Sequence, residues 1–190
     1  VVSSRVRLAR NIAGRRFPGR ASLRERSEAF ELLRGALEGV DRLTGCELVG
    51  LEPLSVLERQ IMVEQRVASP DLVRAEGARG VISDLSKRIS IMVNEEDHAR
   101  LQCIGSGYCP TDLWAVLDDV DTQLGRQIGF AYDLRRGFLT SCPPVYAHCR
   151  KLFQQDYPDT HCQEPGSYYN GAGEQCAVRN RITRNCHTWR

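Results

Sequence analysis

Apolar periodicity organises this chain as far as Cys142-Pro143 and then stops. Residues 144–190 are rich in Gln, Asn, Gly, Arg, Cys and His, and they carry no apolar stripe at either the helical or the strand period. A segment without such a face cannot bury enough apolar surface to offset the entropy of ordering it. The core is therefore expected within residues 1–143, with 144–190 as an unrelated, irregular tail.

Within 1–143 the two periods alternate. V-V-S-S-R-V-R-L sets Val2, Ser4, Val6 and Leu8 on one face and Ser3, Arg5 and Arg7 on the other, the mark of a half-buried strand. Residues 22–43 space Phe30, Leu33, Leu37, Val40 and Leu43 by three and four, which predicts an amphipathic helix. C-E-L-V-G-L reads as a short strand. P-L-S-V-L-E-R-Q-I-M-V-E-Q-R-V reads as a helix with Pro53 near its first turn, stopped before Pro70. G-V-I-S-D and R-I-S-I-M-V-N predict a hairpin with Ile89, Ile91 and Val93 facing the core, and A-R-L-Q-C-I a further strand. Thr111 is the expected cap of a helix carrying Leu113, Val116, Leu117, Val120 and Leu124. F-A-Y-D and F-L-T-S-C close the pattern as short strands around Gly137. Hairpins interleaved with helices predict an α+β domain, a mainly antiparallel sheet flanked by helices.

Net charge is +2, so overall charge selects no partner. Locally it is uneven: Arg5, Arg7, Arg10, Arg15, Arg16, Arg20 and Arg24 precede the first acid, a composition shared by transit peptides and nucleic-acid-binding arms. The chain begins at Val1, so an N-terminal segment is expected to be missing. No apolar run is long enough to span a bilayer. Cys46, Cys103, Cys109 and Cys142 are scattered through the periodic region, where reduced thiols of a cytoplasmic protein are the expectation. Cys149, Cys162, Cys176 and Cys186 crowd the tail with His148, His161 and His187, but at no spacing used by zinc sites. No metal site is expected.

Three stretches could carry chemistry. Arg5 and Arg7 on one strand face lie about 6.6 Å apart, a spacing at which two guanidinium forks reach neighbouring phosphates; a solvated strand face is the simpler alternative. In S-I-M-V-N-E-E-D-H-A-R-L-Q-C three acids follow one another, and such a run needs a positive charge to meet. If the chain stays extended there, Glu96, His98 and Arg100 share one face, with Glu96 and Arg100 on the order of 13 Å apart. An acidic turn satisfied by solvent or a neighbouring Arg is the alternative. Cys142 ends F-L-T-S-C at the rim of the expected sheet, where nearby arginines would favour thiolate; a small buried residue is the plain reading.

Taken in order, S-S-R-V-R-L-A-R-N, N-E-E-D-H-A-R and G-F-L-T-S-C-P resemble the ATP:guanido phosphotransferases, and most closely their bacterial protein-arginine kinase branch. L-E-R-Q, A-S-P-D-L and L-Q-C are similar to that branch too, and the resemblance runs from Val1 to about Pro143. It implies that Ser3, Ser4, Arg5, Val6 and Arg7 form an ATP-phosphate-binding strand, and that Arg100 adds a further phosphate-binding guanidinium. It implies that Glu96 grips and deprotonates a substrate guanidinium beside the thiolate of Cys142. Glu96 and Cys142 are thus expected to face one cleft, with Arg5, Arg7 and Arg100 on its opposite wall. ATP and Mg²⁺ are the implied cofactors. Proteins with exposed arginine are the implied substrates, and an activator protein and a Clp-type protease system the implied partners, with no nucleic acid and no membrane.

After Cys142-Pro143 the family pattern of T-N, a Gly-Thr turn and an R-A-S strand is replaced by P-V-Y-A-H-C-R-K. The expectation is a truncated domain with part of its nucleotide clamp missing and weak or absent turnover, the tail being a divergent or frame-shifted end. A kinase of free arginine or another small guanidino compound, and a nucleotide-binding pseudokinase, are the alternatives.

Overall fold

Strand β1 (Ser3–Arg10) shows the expected alternation, with Ser4, Val6, Leu8 and Arg10 buried and the residues between them half-buried. The computed structural model describes residues 2–141, so the expected tail and Cys142 lie outside the described residues. Helix α1 (Leu23–Glu38) starts where Ser22 and Glu25 form a reciprocal capping box, and it buries Phe30, Leu33 and Leu37. Val40 and Leu43, expected on the same helix, are buried just beyond it, Leu43 in a 3₁₀ turn (Asp41–Leu43).

The remaining elements are β2 (Val49–Gly50), α2 (Val56–Glu64), α3 (Pro70–Arg74), β3 (Gly80–Ser83), β4 (Ile89–Val93), β5 (Ala99–Ser106), α4 (Pro110–Gln127), β6 (Tyr132–Asp133) and β7 (Gly137–Phe138). The five longer-range strands form one antiparallel sheet in the order β1-β5-β4-β3-β2, and β6 pairs with β7. The α+β expectation is met.

Several boundaries differ from expectation. Pro53 lies outside α2: Ser55 and Glu58 make a second capping box, so the helix begins after Ser55. Pro70 does not merely end a helix; it occupies the first turn of α3, whose cap is Ser69 accepting from the Leu72 amide at 3.1 Å. Thr111 is not the cap of α4, because Pro110 already sits in the first turn and Cys109 precedes it.

Register gives the two sheet faces different work. Val6, Cys103 and Ile89 align across the strands, as do Leu8, Leu101 and Ile91, and these rows join the buried side chains of α1 and α4 in the main core. Each such aliphatic burial contributes about 1.5–3 kcal/mol. On the other face the rows are polar. Arg7 opposes Gln102, and Arg100 lies between Ala9 and Met92. Loops and helices carrying Leu51, Val67, Ala68 and Leu72 cover Val81 and Met92 at one end of that face. The β1–β5 end of the face is left to the arginines.

Candidate active site

Side chains two apart on a strand share a face, and this parity places Arg5 and Arg7 together above the polar face of the sheet. A pocket of 340 Å³ opens there, lined by Arg5, Arg7 and Arg100 from the sheet, Arg66 from the α2–α3 connection, and Ser69 and Glu95 among others. Burial, and then Arg66, lower the Arg5 guanidinium from its ordinary value. Burial together with Arg5 and Arg100 brings Arg7 down to about 10, with Glu95 working in the opposite direction. Arg7 remains charged at neutral pH. The pocket thus concentrates like charge that a multiply charged anion would relieve.

The acidic stretch is not extended. Residues 94–98 form the turn between β4 and β5, entered through Asn94 in the left-handed region (φ 58°). Asn94 tolerates that conformation, and its carboxamide donates to the carbonyls of Arg26 and Ala78 at 2.8 and 2.7 Å. The turn separates the acids into three environments. Glu95 is buried, its carboxylate paired with Arg100 and accepting from the Ser69 hydroxyl. Asp97 is buried on the far side, accepting from Asn11 and from the Ser141 amide, each at 2.6 Å. Glu96 stays 56% exposed with one oxygen 3.6 Å from Arg100.

The expected 13 Å separation of Glu96 and Arg100 is therefore corrected to a side-chain contact, because a turn brings residues four apart together where a strand would separate them. His98 does not share a face with Glu96. It is buried, and its Nδ1 accepts from the Ile12 amide at 3.2 Å.

Of the other residues in the predicted ATP strand, Ser4 and Val6 point to the helix-covered face. Val6 is in the core, and the Ser4 hydroxyl donates to the Gly107 carbonyl and accepts from the Cys109 amide, fastening β1 to the start of α4. Ser3 shares the parity of Arg5 and Arg7 but does not line the pocket. Arg66 and Ser69 were not anticipated. The S-P-D-L stretch carried a readable cap signal for Ser69, whereas Arg66 reaches the pocket only because its backbone turns left-handed (φ 62°) at the end of α2.

Burial lowers the His98 imidazole to about 4 against the opposing pull of Asp97, so it folds neutral. Unfolding at pH 4 to 6.5 takes up a proton, so stability is full above that window and is lost as pH falls through it. The expected loss between pH 6.5 and 4 is on the order of 2 kcal/mol. Thermal melts along this pH series should show it, and His98→Asn, which keeps an acceptor for Ile12, should flatten the slope.

Among the described residues no group of three or more His, Cys, Asp and Glu side chains could hold a metal ion, and no helix is long and apolar enough to cross a membrane. The sequence profile of the ATP:guanido phosphotransferase C-terminal catalytic domain matches residues 28–145. The protein-arginine kinase of Pelotomaculum thermopropionicum is 40% identical over 146 residues, covering 75% of this chain and 41% of that protein. That of Moorella thermoacetica is 38% identical with 42% of its length covered. The chain thus spans about two-fifths of the curated relatives it matches. Among solved structures, the substrate-free duplicated taurocyamine kinase of Schistosoma mansoni superposes with a TM-score of 0.69 at 26% identity over 75% of this chain and 22% of that one. Lombricine kinase, at 23% identity and a TM-score of 0.65, shares the fold.

Proposed function

The chain belongs to the ATP:guanido phosphotransferase family, and on that premise we propose that it carries the phosphate pocket and guanidinium-facing turn of a protein-arginine kinase. The observation that carries the reading is the juxtaposition of four arginines with an acidic turn whose members are divided between burial and exposure. Arg5, Arg7, Arg66 and Arg100 supply fixed positive charge for a triphosphate. Glu95 is committed to Arg100 and Ser69 and so fixes where that guanidinium stands. Glu96, half-exposed at the pocket edge, is the carboxylate able to receive a cationic acceptor.

A guanidinium, with a pKa above about 12, is a poor nucleophile while protonated. Glu96 would orient one of its nitrogens by a charge-assisted hydrogen bond and take a proton from it as the N–P bond forms and the bond from the γ-phosphorus to the bridging oxygen breaks, leaving ADP. The arginines would hold the transferred group in line and spread its charge, which is most of what phosphoryl transfer asks of a protein. Mg²⁺ would enter with the nucleotide and supply charge neutralisation at the phosphates, its shell made largely of phosphate and water. Glu95 and Asp97 are already engaged by protein donors and Glu96 is assigned to the acceptor, so the described carboxylates offer the ion no dedicated ligand.

The relatives' activity on protein arginine supports protein acceptors, and the likeness to taurocyamine kinase supports a small guanidino compound as the second reading. Incubation with ATP and either an unfolded arginine-rich protein or free arginine, followed by detection of acid-labile phosphoarginine, decides between them. Glu96→Gln, which keeps the hydrogen bond but cannot take a proton, should lower turnover by about 10²–10⁴-fold with nucleotide affinity unchanged. Unaltered turnover in that variant would remove Glu96 from the proposed role.

A further inference from the structure

Asn11 follows directly on β1 and its side chain is fully enclosed, 1% exposed. Its carboxamide nitrogen donates both hydrogens, to Asp97 at 2.6 Å and to the Leu139 carbonyl at 3.1 Å, while its carboxamide oxygen accepts from the His98 amide at 2.9 Å. Its backbone carbonyl accepts from the Ala131 amide at 2.7 Å. One residue thereby joins four segments of the chain: the end of β1, the acidic turn, the stretch entering β6, and the stretch leaving β7. Asp97 extends the connection to the Ser141 amide, and the Ser141 hydroxyl donates to the Glu96 carbonyl.

We propose that Asn11 is a positioning residue, a latch that sets the acidic turn, and with it the Glu96 carboxylate, in register with the 139–141 segment at the pocket edge. This rests on the functional reading above. The physical basis is that a planar carboxamide can satisfy a carboxylate, a carbonyl and an amide at once only in one orientation. A buried network of this kind is either fully satisfied or costly, so it holds a single arrangement. Glu96 is exposed and its side chain reaches Arg100 only at 3.6 Å, so its placement rests chiefly on its backbone, which is held on one side by Ser141 and on the other by the Asp97–Asn11 and His98–Asn11 contacts.

Asn11→Asp preserves shape but sets a carboxylate against Asp97 and the Leu139 carbonyl. The double variant Asn11→Asp/Asp97→Asn restores a donor–acceptor pair across that contact with polarity reversed; because the Asn11 and Ser141 donors share one Asp97 oxygen, it also turns an NH₂ towards the Ser141 amide. Amide hydrogen exchange by NMR should show the single variant accelerating exchange at Ser141 and His98 by at least about tenfold, with Ile91 and Leu101 in the core sheet within about twofold. The double variant should return His98 to within about threefold of the unaltered chain, with Ser141, whose acceptor is lost, still exchanging fast. In parallel, affinity for a short arginine-containing peptide should fall at least about fivefold in the single variant and rise again by at least about twofold in the double, with MgADP affinity within about twofold throughout.

Acceleration shared equally by the core amides, no acceleration, or no recovery of His98 in the double variant would overturn the latch, as would unchanged peptide affinity where the unaltered chain binds peptide. If Asn11→Asp does not fold, Asn11→Ser, too short to span from Asp97 to His98, must give the same localised pattern. Failure of the unaltered chain to bind either MgADP or peptide would sink the functional reading instead, and the exchange comparison would still decide whether Asn11 holds the turn.

Discussion

Arg100→Ala is expected to be the most damaging single change in the pocket, because it removes two things at once. Arg100 is the cation that neutralises Glu95, a carboxylate with a 2% exposed side chain. Deleting it strands a buried charge whose remaining partner is a hydroxyl, Ser69, at a cost of about 3–5 kcal/mol of stability. It also withdraws one of the charge-assisted donors proposed for the triphosphate, worth about 1.5–3 kcal/mol, or about 10- to 100-fold in ATP affinity. The two losses can be separated. Glu95→Gln on the Arg100→Ala background replaces the stranded carboxylate by a neutral carboxamide, so denaturant melts should recover most of the lost stability while ATP affinity stays low. If affinity recovers along with stability, Arg100 is a structural partner of Glu95 and nothing more.

The second large effect lies on the opposite face of the sheet. Arg10 is 2% exposed, its guanidinium 2.6 Å from Asp121 of α4, 2.8 Å from the Ala9 carbonyl and 3.7 Å from the centre of the Phe138 ring. It joins the first strand, the long helix and β7. Burial raises the Asp121 carboxyl above its ordinary value even with Arg10 beside it, and neighbouring Asp118 adds to the rise. Arg10→Ala should therefore destabilise the fold by about 3–5 kcal/mol at neutral pH.

The sign of its pH dependence is opposite to that of His98. A carboxyl whose folded value is raised binds more protons in the native state, so its penalty grows as pH rises through that value. Arg10→Ala should accordingly lie closest to the parent in mildly acidic buffer and fall away towards neutrality. Replacing both partners with apolar groups of similar size, Arg10→Met with Asp121→Leu, should be far milder than either single change, because no charge is left buried. Urea melts of the three variants at two pH values test the whole pattern.

How much of this was legible in the sequence follows from which forces act locally. The sheet was readable because its inward residues repeat at the strand period, Val6 and Leu8 in β1 and Ile89, Ile91 and Val93 in β4, and all of them are in the core. Helices α1 and α4 were readable for the same reason at their own period. Starts and stops were less so. The Ser55–Glu58 box and the Ser69–Pro70 cap are local start signals that outweigh Pro53 and a helix stop. At α4 the fixed φ of Pro110, which makes it a first-turn residue, outweighs the capping hydroxyl of Thr111.

The site was half legible. Strand parity alone puts Arg5 and Arg7 side by side, and it also implies that Ser4 and Val6 face the other way. What parity cannot show is the chain reversal at Asn94, and that reversal decides which acid is buried against Arg100 and which is left at the pocket edge. An extended reading pairs Glu96 with Arg100 at a distance; the turn gives Glu95 the buried pairing and Glu96 the exposed one. Arg66 was illegible for a related reason, since its placement depends on a left-handed residue that no side-chain preference announces.

The central claim is that the cluster of Arg5, Arg7, Arg66 and Arg100 is a phosphate site, and calorimetric titration of the chain with MgATP, MgADP and AMP tests it most directly. Affinity should fall with each phosphate removed, with AMP at least about 100-fold weaker than ATP and the ATP affinity dropping steeply as salt is raised. Equal binding of ATP and AMP, or ATP binding indifferent to salt, would contradict it.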